Sequence, residues 1–529
     1  MKYDYIIVGA GSAGAALAYR LSANPRTSVL LVEAGSNTHP LSRIPISFGL
    51  FINKPGVNWK YFSEPEAGTA NRAIPVPRGK MLGGSSAING MVYVRGQPLD
   101  YDTWAQFGNR GWSWEDVAPV FKRMENYSDP GHETRGKTGP LGISEVSEQN
   151  RLYEALLDAA VSIGHPRNAD YNGPDQEGVA RLQATIQRGR RMNTAHCYLS
   201  PAMRRNNLNI VTKAMTQKIL LKGKQCIGIT YKKNGKLDDV ECNKEVILCA
   251  GGIASPQILE LSGIGNPEIL SQYGIEIRHE LLAGGDNFRD HLLPRIKWEL
   301  NNPEVSYNTR AQGIGLIGQV LKYFTMGTGF LSLPSSSLGA WLKTRPELAT
   351  PDIQMQFLPY SVESAEKRKL HSFPGMTIAA FQLRPESLGS VHIRSSNPYE
   401  HPAIRFNFLK DPIDVRTNID AVKMMRAIVD AKPMDPYRKN EFHPGASVST
   451  DDEIEKFLRE ECETGYHPMG TCRMGSGPNT VVDDQLKVHG LEGLRVADAS
   501  IFPTMPSGNT NAPSIMVGEK AADLIMNPA

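Results

Sequence analysis

The chain has 529 residues, 40% of them hydrophobic, and its 58 Lys and Arg residues nearly balance its 55 Asp and Glu residues. A single hydrophobic core stops growing near roughly 250 to 300 residues, so this length predicts at least two domains. The balanced charge, without a long run of one sign, argues against nucleic acid as a partner, and the 49 Gly and 36 Pro residues are typical of a globular protein rich in loops.

The N-terminal residues predict a protein that stays in the cytoplasm. An apolar run at residues 5–8 begins almost at Met1, which leaves no room for a secretory leader. No run of about 18 apolar residues occurs, so we expect no transmembrane segment, while peripheral contact with the inner membrane stays open. The cysteines form no C-x-x-C pair, which predicts reduced thiols and no metal site. They are Cys197, Cys226, Cys242, Cys249, Cys462 and Cys472.

Residues 5–8 and the glycines after them predict a dinucleotide-binding turn. The apolar run suits a buried parallel strand, the spacing G-x-G-x-x-G follows at once, and residues 15–22 have a helical composition. The N-terminus of such a helix attracts the pyrophosphate of the cofactor. A second apolar run, residues 29–32, ends at Glu33, near the offset at which an acid binds ribose hydroxyls, and both NAD and FAD fit these features. The residues predicted to bind the cofactor here are Gly9, Gly11, Ser12, Ala13, Gly14, Glu33 and Ala34.

Four further segments carry a family resemblance. Residues 77–96 form a loop rich in glycine and small residues, residues 251–265 begin with Gly-Gly-Ile-Ala-Ser-Pro, and residues 466–471 and 496–500 lie near the C-terminus. In composition and order, these segments resemble the signatures of the glucose-methanol-choline (GMC) oxidoreductases. The resemblance spans nearly the whole chain, and it implies an FAD cofactor and an alcohol substrate.

The resemblance also implies the fold. It is an α/β fold in which a Rossmann-type FAD-binding domain is interrupted by an α+β substrate-binding domain on an antiparallel sheet. The FAD-binding domain is expected to comprise residues 1–148, 190–295 and 462–529. The substrate-binding domain is expected to comprise residues 149–189 and 296–461.

Local patterns in the second domain predict strands, a loop and a roof. Residues 353–358, 376–383 and 390–394 are apolar strand candidates for a sheet under a pocket. The polar region at residues 170–193 predicts a loop. Residues 331–338, which contain Pro-Ser-Ser-Ser, resemble the mobile loop that roofs the active site in GMC oxidoreductases.

The resemblance places further FAD contacts in the first signature and near the C-terminus. Family members that tether the flavin carry a His at the position of Ile88, so FAD is expected to bind here without a covalent link. Asp498 belongs by resemblance to the flavin-ribityl region, and its alternative role is to cap the helix that follows. The residues expected to contact the pyrophosphate, the ribityl chain or the flavin are Gly83, Gly84, Ser85, Asn89, Gly90, Met91, Val92, Asp498, Ala499, Asn509 and Thr510.

His467 is the predicted catalytic base, and the alternative is a histidine satisfied in a core. Imidazole titrates near neutrality, and Pro468 restricts the backbone of the residue before it. By resemblance, Asn511 is the second catalytic residue, which orients the alcohol and its developing negative oxygen. Its alternative role is an N-cap, and Asn509 takes its place if the register differs by two residues. Tyr466, His467 and Asn511 are expected to contact the substrate.

Together these residues predict oxidation of an uncharged primary alcohol to its aldehyde by hydride transfer to the flavin, with oxygen or a quinone-type compound as the electron acceptor. A choline dehydrogenase is one alternative. It would need a carboxylate and aromatic faces around a quaternary ammonium, whereas Phe357 and Phe381 are expected in the core. A lyase without net redox chemistry is a second alternative. A flavin-binding protein without activity is a third, against which His467 and the Asn511 segment argue.

Overall fold

The chain folds around two large sheets, one mainly parallel and one antiparallel. The computed structural model describes residues 2–129, 133–364 and 369–527. The α-helices of this part of the chain are α1 (Ser12–Leu21), α2 (Phe48–Phe51), α3 (Pro98–Gln106), α4 (Trp114–Met124), α5 (Arg151–Ser162), α6 (Ser200–Ala202), α7 (Gly251–Leu261), α8 (Pro267–Gln272), α9 (Tyr307–Arg310), α10 (Gly313–Met326), α11 (Pro412–Asp430), α12 (Asp451–Glu461) and α13 (Asn511–Met526). The strands of the same residues are β1 (Lys2–Val8), β2 (Val29–Val32), β3 (Tyr61–Phe62), β4 (Pro75–Val76), β5 (Glu125–Tyr127), β6 (Leu141–Glu145), β7 (Gly178–Arg181), β8 (Gln183–Ala184), β9 (Ile186–Gln187), β10 (Arg190–Arg191), β11 (Leu208–Val211), β12 (Ala214–Lys222), β13 (Gln225–Lys233), β14 (Lys236–Leu248), β15 (Ile264–Gly265), β16 (His279–Glu280), β17 (Leu292–Leu293), β18 (Arg295–Leu300), β19 (Leu338–Leu342), β20 (Ile353–Leu358), β21 (Gly375–Gln382), β22 (Ser390–His392), β23 (Ala403–Arg405), β24 (Arg438–His443), β25 (Glu463–Thr464) and β26 (Leu494–Val496).

The mainly parallel sheet has the strand order β11-β2-β1-β14-β13-β12, with β26 added against β14. The pairs β11–β2, β2–β1, β1–β14 and β14–β26 are parallel, and β12, β13 and β14 form antiparallel hairpins. All four residues of β2 are buried, as expected for a parallel strand that helices cover on both faces. With the glycine turn between β1 and α1, this sheet has the Rossmann-type arrangement.

The second sheet has the order β24-β18-β21-β20-β19-β7, and all its neighbouring strands are antiparallel. Its strand β20 coincides with the candidate at residues 353–358, and β21 differs from the candidate at residues 376–383 by one residue at each end. The candidate at residues 390–394 was wrong as part of this sheet, because β22 pairs with β23 instead. The predicted loop at residues 170–193 was also wrong in part, since it contains β7 to β10, and β7 forms one edge of this sheet.

The last helix packs along the first one. A Cβ atom on Gly518 of α13 would lie 2.2 Å from the carbonyl oxygen of Ala13 in α1, so only glycine permits this approach. Arg20 of α1 pairs with Glu519 and, at 2.8 Å, with Asp523 of α13. The strand, turn and helix at the start of the chain are therefore completed by the helix at its end.

Two observations concern the membrane and the thiols. Among the described residues, none of the helices is both long and apolar enough to cross a bilayer. The six cysteines are buried free thiols. Burial raises the pKa of Cys197 to about 12, so this thiol stays protonated at neutral pH.

Candidate active site

A cavity of about 820 Å³ lies between the two sheets. It begins where β1 and β2 end, at the edge where open parallel sheets bind their ligands. It ends on the antiparallel sheet, where alternate residues of β18, β20 and β21 line it, because successive side chains of a strand point to opposite faces. The predicted site residues that line the cavity are Gly9, Gly11, Ser12, Ala13, Glu33, Ala34, Gly84, Ser85, Asn89, Gly90, Met91, Val92, Tyr466, His467, Asp498, Ala499, Asn509, Thr510 and Asn511.

The two glycine-rich segments meet at one end of the cavity. A Cβ atom on Gly84 would lie 2.7 Å from the Cα of Gly11, so the first signature rests directly on the turn before α1. Two predicted cofactor residues, Gly14 and Gly83, lie outside the lining, and Gly83 packs against Ala195 instead. A helix N-terminus between two glycine-rich segments fits the pyrophosphate of a dinucleotide.

Glu33 lies at the carboxyl end of β2 and lines the same part of the cavity. Its carboxylate accepts hydrogen bonds from the backbone N–H of Ala10 at 2.9 Å and of Gly35 at 2.7 Å. Burial raises its pKa to about 7, against the effect of these two hydrogen bonds. Each carboxylate oxygen keeps a second lone pair for a ribose hydroxyl, so the residue fits the adenosine half of FAD.

Asp498 uses both carboxylate oxygens to hold its surroundings. Its Oδ1 accepts a hydrogen bond from the backbone N–H of Ser500 at 2.7 Å. Its Oδ2 accepts from the N–H of Gly251 at 2.8 Å and from the hydroxyl of Ser255 at 2.6 Å. Asp498 therefore caps the short helix Ala499–Ile501, which is the alternative role weighed for it, and joins this helix to the start of α7. Its contact with the ribityl chain stays a prediction.

His467 projects into the cavity from a tightly held loop after β25. Asp290 accepts hydrogen bonds from the backbone N–H of His467 at 2.8 Å and from the hydroxyl of Thr464 at 2.5 Å. Arg78 donates to the carbonyl oxygen of Tyr466 at 2.7 Å. Tyr466 has φ of 67°, in the left-handed region that side chains rarely adopt. The backbone next to the predicted base is thus held in a strained conformation by its neighbours, as is common at functional sites.

A chain of hydrogen bonds determines which nitrogen of His467 carries a proton. The carbonyl oxygen of Leu383 can only accept, so Nε2 of His291, 3.0 Å away, is the donor. Nδ1 of neutral His291 is then an acceptor, and Nδ1 of His467, 2.8 Å away, must donate to it. Nε2 of His467 is therefore an acceptor, and it accepts a hydrogen bond from Nδ2 of Asn509 at 2.9 Å. His467 therefore presents to the cavity the atom that a catalytic base needs.

The two histidines of this hydrogen-bond chain, His291 and His467, are neutral at pH 7. Burial lowers the pKa of His291 to about 4. Burial, and after it the nearby His291 and the charge of Arg78, hold the pKa of His467 well below its ordinary value. A neutral imidazole can take up a proton, so the low pKa keeps the predicted base in its active form.

We expect the rate of flavin reduction by an alcohol to stay constant as the pH falls from neutrality through 6.5. The pKa of His467 is lowered from 6.5, so the folded protein keeps this base unprotonated where an exposed histidine gains a proton. Anaerobic stopped-flow absorbance across this pH range measures the rate. An acidic limb centred at or above pH 6.5 would contradict the assignment.

The low pKa of His467 also affects the stability of the fold. In the same pH range the unfolded chain binds a proton at His467 that the folded chain does not, so this group lowers the free energy of unfolding as the pH falls.

The structure shows a structural contact for Asn511, and its predicted catalytic role stays a prediction. Its Oδ1 accepts a hydrogen bond from the hydroxyl of Ser12 at 2.8 Å, so it ties α13 to α1. It is not an N-cap, because α13 begins at Asn511 and Thr510 occupies the N-cap position. Asn509 is the amide beside the base. Its Oδ1 accepts from Nε2 of Gln354 at 3.2 Å, which directs its Nδ2 toward the imidazole.

Aromatic and apolar side chains form the wall beside His467. Phe381 is buried in the core, as expected, and it also lines the cavity, with its ring centroid 5.7 Å from that of His467. Tyr466 and Leu293 line the same region. Phe357 lies in the core outside the lining, as expected. The wall is therefore suited to the carbon skeleton of an uncharged substrate.

The carboxylates of the lining already have hydrogen-bond partners. Within the described residues, the acids that line the cavity are Glu33 and Asp498, and both accept hydrogen bonds from backbone N–H groups. Near the base, Arg295 of β18 lines the cavity and pairs with Glu463 at 2.5 Å. These described residues place no unpaired carboxylate at the wall beside the base.

The roof of the cavity is longer than the loop predicted at residues 331–338. Leu331 and Ser335 of that segment line the cavity. Leu316 and Val320 of α10 line it as well, so the roof begins at least 15 residues earlier. Helix α10 lies outside the four segments that resemble the family signatures, so those segments could not predict its part in the roof.

Sequence analysis missed four residues that position the predicted base or the amide of Asn509. They are Asp290, His291, Arg78 and Gln354. His291 is 176 positions from His467, so no spacing pattern relates the two. The available signal was an adjacent Asp and His directly before an apolar run, because such polar residues are rarely buried without a purpose. Arg78 lies inside the first signature, where only its glycines and small residues had been weighed.

The Rossmann-type sheet, the glycine-rich turn and the buried His467 facing an antiparallel sheet are typical of a cofactor-dependent oxidoreductase. Two family descriptions of GMC oxidoreductases match the chain, the N-terminal one at residues 3–293 and the C-terminal one at residues 385–518. The chain therefore belongs to the GMC oxidoreductases.

Relatives and solved structures agree with this membership. The chain is 41% identical to the oxygen-dependent choline dehydrogenase of Brucella anthropi, covering 99% of this chain and 96% of the relative. It is 39% identical to the enzyme of the same name from Photobacterium profundum, covering 99% of this chain and 93% of the relative. Its fold is similar to that of pyridoxine 4-oxidase from Mesorbium loti, with 30% identity, a TM-score of 0.91 and full coverage of both chains. Formate oxidase matches with 25% identity and a TM-score of 0.92, covering 99% of this chain and 98% of that one.

Family membership confirms three predictions: the α/β fold with its inserted substrate-binding domain, FAD as the cofactor, and oxidation of CH–OH donors. The residues that bind FAD and the domain boundaries stay predictions. Ile88 lines the cavity with an aliphatic side chain, which offers no atom for a covalent link to the flavin.

Proposed function

We propose that the protein oxidises an uncharged primary alcohol to its aldehyde, with His467 as the base and Asn509 as the second catalytic residue. The observation that carries this proposal is the hydrogen-bond chain from Leu383 through His291, which makes Nε2 of His467 an acceptor at the cavity wall, where Asn509 donates to it. The low pKa of His467 supports the same role.

The proposed arrangement of FAD follows from the lining. The turn at Gly9 and Gly11 holds the pyrophosphate, and Glu33 holds the ribose of the adenosine half. The first signature, with Ser85 and Asn89, extends along the cavity toward His467 and holds the flavin half. Bound FAD supplies the acceptor for a hydride.

The chain's own residues then handle the hydroxyl group. The alcohol hydroxyl replaces Nδ2 of Asn509 as the donor to Nε2 of His467, which takes the proton. Nδ2 of Asn509 donates a hydrogen bond to the alcohol oxygen, where negative charge develops. The α-carbon releases a hydride as the C=O bond forms, so the substrate loses two electrons and two hydrogens and becomes the aldehyde.

An uncharged alcohol is favoured by the wall beside the base. Phe381, Leu293 and Tyr466 provide apolar contact, and the charged side chains of the lining near the base, Arg78 and Arg295, are cations. A quaternary ammonium would need a carboxylate in addition to aromatic faces. Choline is nevertheless the second candidate, because relatives named oxygen-dependent choline dehydrogenase are 41% identical over nearly the whole chain.

We expect butanol, benzyl alcohol and hydroxymethylfurfural to bleach the flavin of the purified, FAD-loaded protein in the absence of oxygen, and choline to do so only at far higher concentration. Visible absorbance measures the bleaching. A tertiary alcohol is the matched control, because it has a hydroxyl group but no hydrogen on the α-carbon and cannot release a hydride.

Other outcomes separate the alternatives. If choline bleaches the flavin at the lowest concentration of the panel, the substrate is choline. If no alcohol bleaches a fully loaded flavin, the proposal that the protein oxidises these alcohols is wrong, and a lyase is favoured. Return of the colour in air identifies oxygen as the electron acceptor, and return only with an added quinone identifies a quinone-type acceptor.

A further inference from the structure

The outer face of α10 is apolar and exposed. Single exposed apolar residues are common on proteins, but a contiguous stripe of them marks a surface that something covers. The apolar side chains of this stripe recur three or four positions apart, so they share one side of the helix. They are Ile314, which is 88% exposed, Ile317 (60%), Leu321 (60%) and Phe324 (71%).

The inner face of the same helix is also apolar. Leu316 and Val320 line the cavity, and Tyr323 is the residue of α10 that is buried. A helix that is apolar on all sides is normally surrounded by apolar groups. Within the described residues α10 is covered only from inside, so its outer face is free to take an apolar partner.

Three long stretches of the sequence contain no acidic residue, and one of them contains this helix. No Asp or Glu occurs in residues 34–63, 178–237 or 305–346, and the last of these stretches contains α10. The charges that these stretches carry are therefore exclusively positive at neutral pH.

The three stretches meet at α10. A Cβ atom on Gly189 would lie 2.1 Å from the carbonyl oxygen of Gly327, so the turn between β9 and β10 touches the end of the helix. Arg43 and Arg190 lie close enough to Tyr323 that their charges oppose the rise in its pKa that burial causes. The exposed basic side chains beside or on the helix are Arg188, Arg190 and Lys322.

We propose that α10 docks on the surface of an anionic lipid bilayer. Its outer apolar face enters the boundary between headgroups and acyl chains, and the basic side chains around it bind the lipid phosphates. A second copy of this chain is a poorer partner, because a two-fold contact through α10 would bring the basic rim of one copy against that of the other. Docking in this way places the roof of the cavity, and with it Leu316 and Val320, against the membrane.

The test measures binding of the FAD-loaded protein to lipid vesicles. One set of vesicles contains phosphatidylcholine and phosphatidylglycerol in equal amounts, and the other contains phosphatidylcholine alone. We expect the wild type to sediment with the anionic vesicles and to be released by salt. Phe324→Glu, which changes the outer face, is expected to weaken binding by about tenfold or more, since it removes the burial of a large apolar side chain. Arg188→Ala and Arg190→Ala are each expected to weaken it about fivefold, as for about 1 kcal/mol per basic residue.

The matched control is Leu237→Glu, because Leu237 is also exposed, at 59%, but lies on β14. It is expected to bind vesicles as the wild type does. Phe324 and Leu237 are absent from the cavity lining, so both variants should keep their flavin and their rate with a dissolved alcohol. Absence of wild-type binding to anionic vesicles, or equal binding by Phe324→Glu, would overturn the proposal. A wild-type dimer that Phe324→Glu converts to a monomer, without vesicle binding, would show that a second copy covers the helix.

Discussion

Replacement of His467 by alanine is expected to slow the anaerobic bleaching of the flavin by a saturating alcohol by about 10² to 10⁴, the range that general base catalysis contributes. The variant lacks Nε2, whose lone pair is directed to the cavity by the chain of hydrogen bonds through His291. Stopped-flow absorbance measures the rate. The flavin spectrum of the resting protein should remain, because the first glycine turn and Glu33 lie at the other end of the cavity.

Two comparisons make this result specific. His489→Ala is the matched control, since His489 bonds to Thr480 and Gly475 outside the lining and its loss should leave the rate unchanged. The remaining slow reaction of His467→Ala should also lose any acidic limb that the wild type shows. A rate within about tenfold of the wild type would mean that another group takes the proton.

Exchange of Asn509 for alanine is expected to lower the same rate by about 10² to 10³, the usual effect of removing one oriented donor at a developing oxyanion. Asn511→Ala is the matched control, because the same side chain is removed only two positions away. Asn511 bonds to Ser12, so its loss should leave the rate at saturating alcohol within a few-fold of the wild type. It should instead weaken the contact between α13 and α1 and lower the free energy of unfolding by about 0.5 to 1.5 kcal/mol, which thermal unfolding measures.

The opposite order of effects would decide between the two asparagines. If Asn511→Ala abolished bleaching while Asn509→Ala reacted at the normal rate, the register predicted from the sequence would be right and the role of Asn509 proposed here would be wrong. Flavin content must be measured for both variants, because both asparagines line the cavity.

The dinucleotide turn could be predicted from sequence because its parts are local. The strand, the glycine spacing, the helix and Glu33 lie within about thirty residues, and each has its own composition rule. His467 could be predicted through the family resemblance. Sequence alone could not decide between Asn511 and Asn509, because both lie in a segment whose backbone direction depends on contacts with Gln354 and Ser12, far away in sequence.

The long-range contacts explain the other misses. His291 acts on His467 across 176 positions, and no local pattern reports such a pair. The region at residues 170–193 looked like a loop, yet β7 gains its strand conformation by pairing with β19. Tertiary pairing of this kind overrides the weak local preference of a short polar segment.

The packing of α13 on α1 has a consequence for synthesis of the protein. Gly518 and Glu519 contact residues of the first helix, and β26 joins β14 only after residue 494 has been made. Contacts between such distant residues form late and slowly. The ribosome must therefore release nearly the entire chain before the FAD-binding domain can close. A chain that stops before β26 keeps the glycine turn but lacks the helix that packs along α1, so we expect interrupted synthesis to give a product that does not retain flavin.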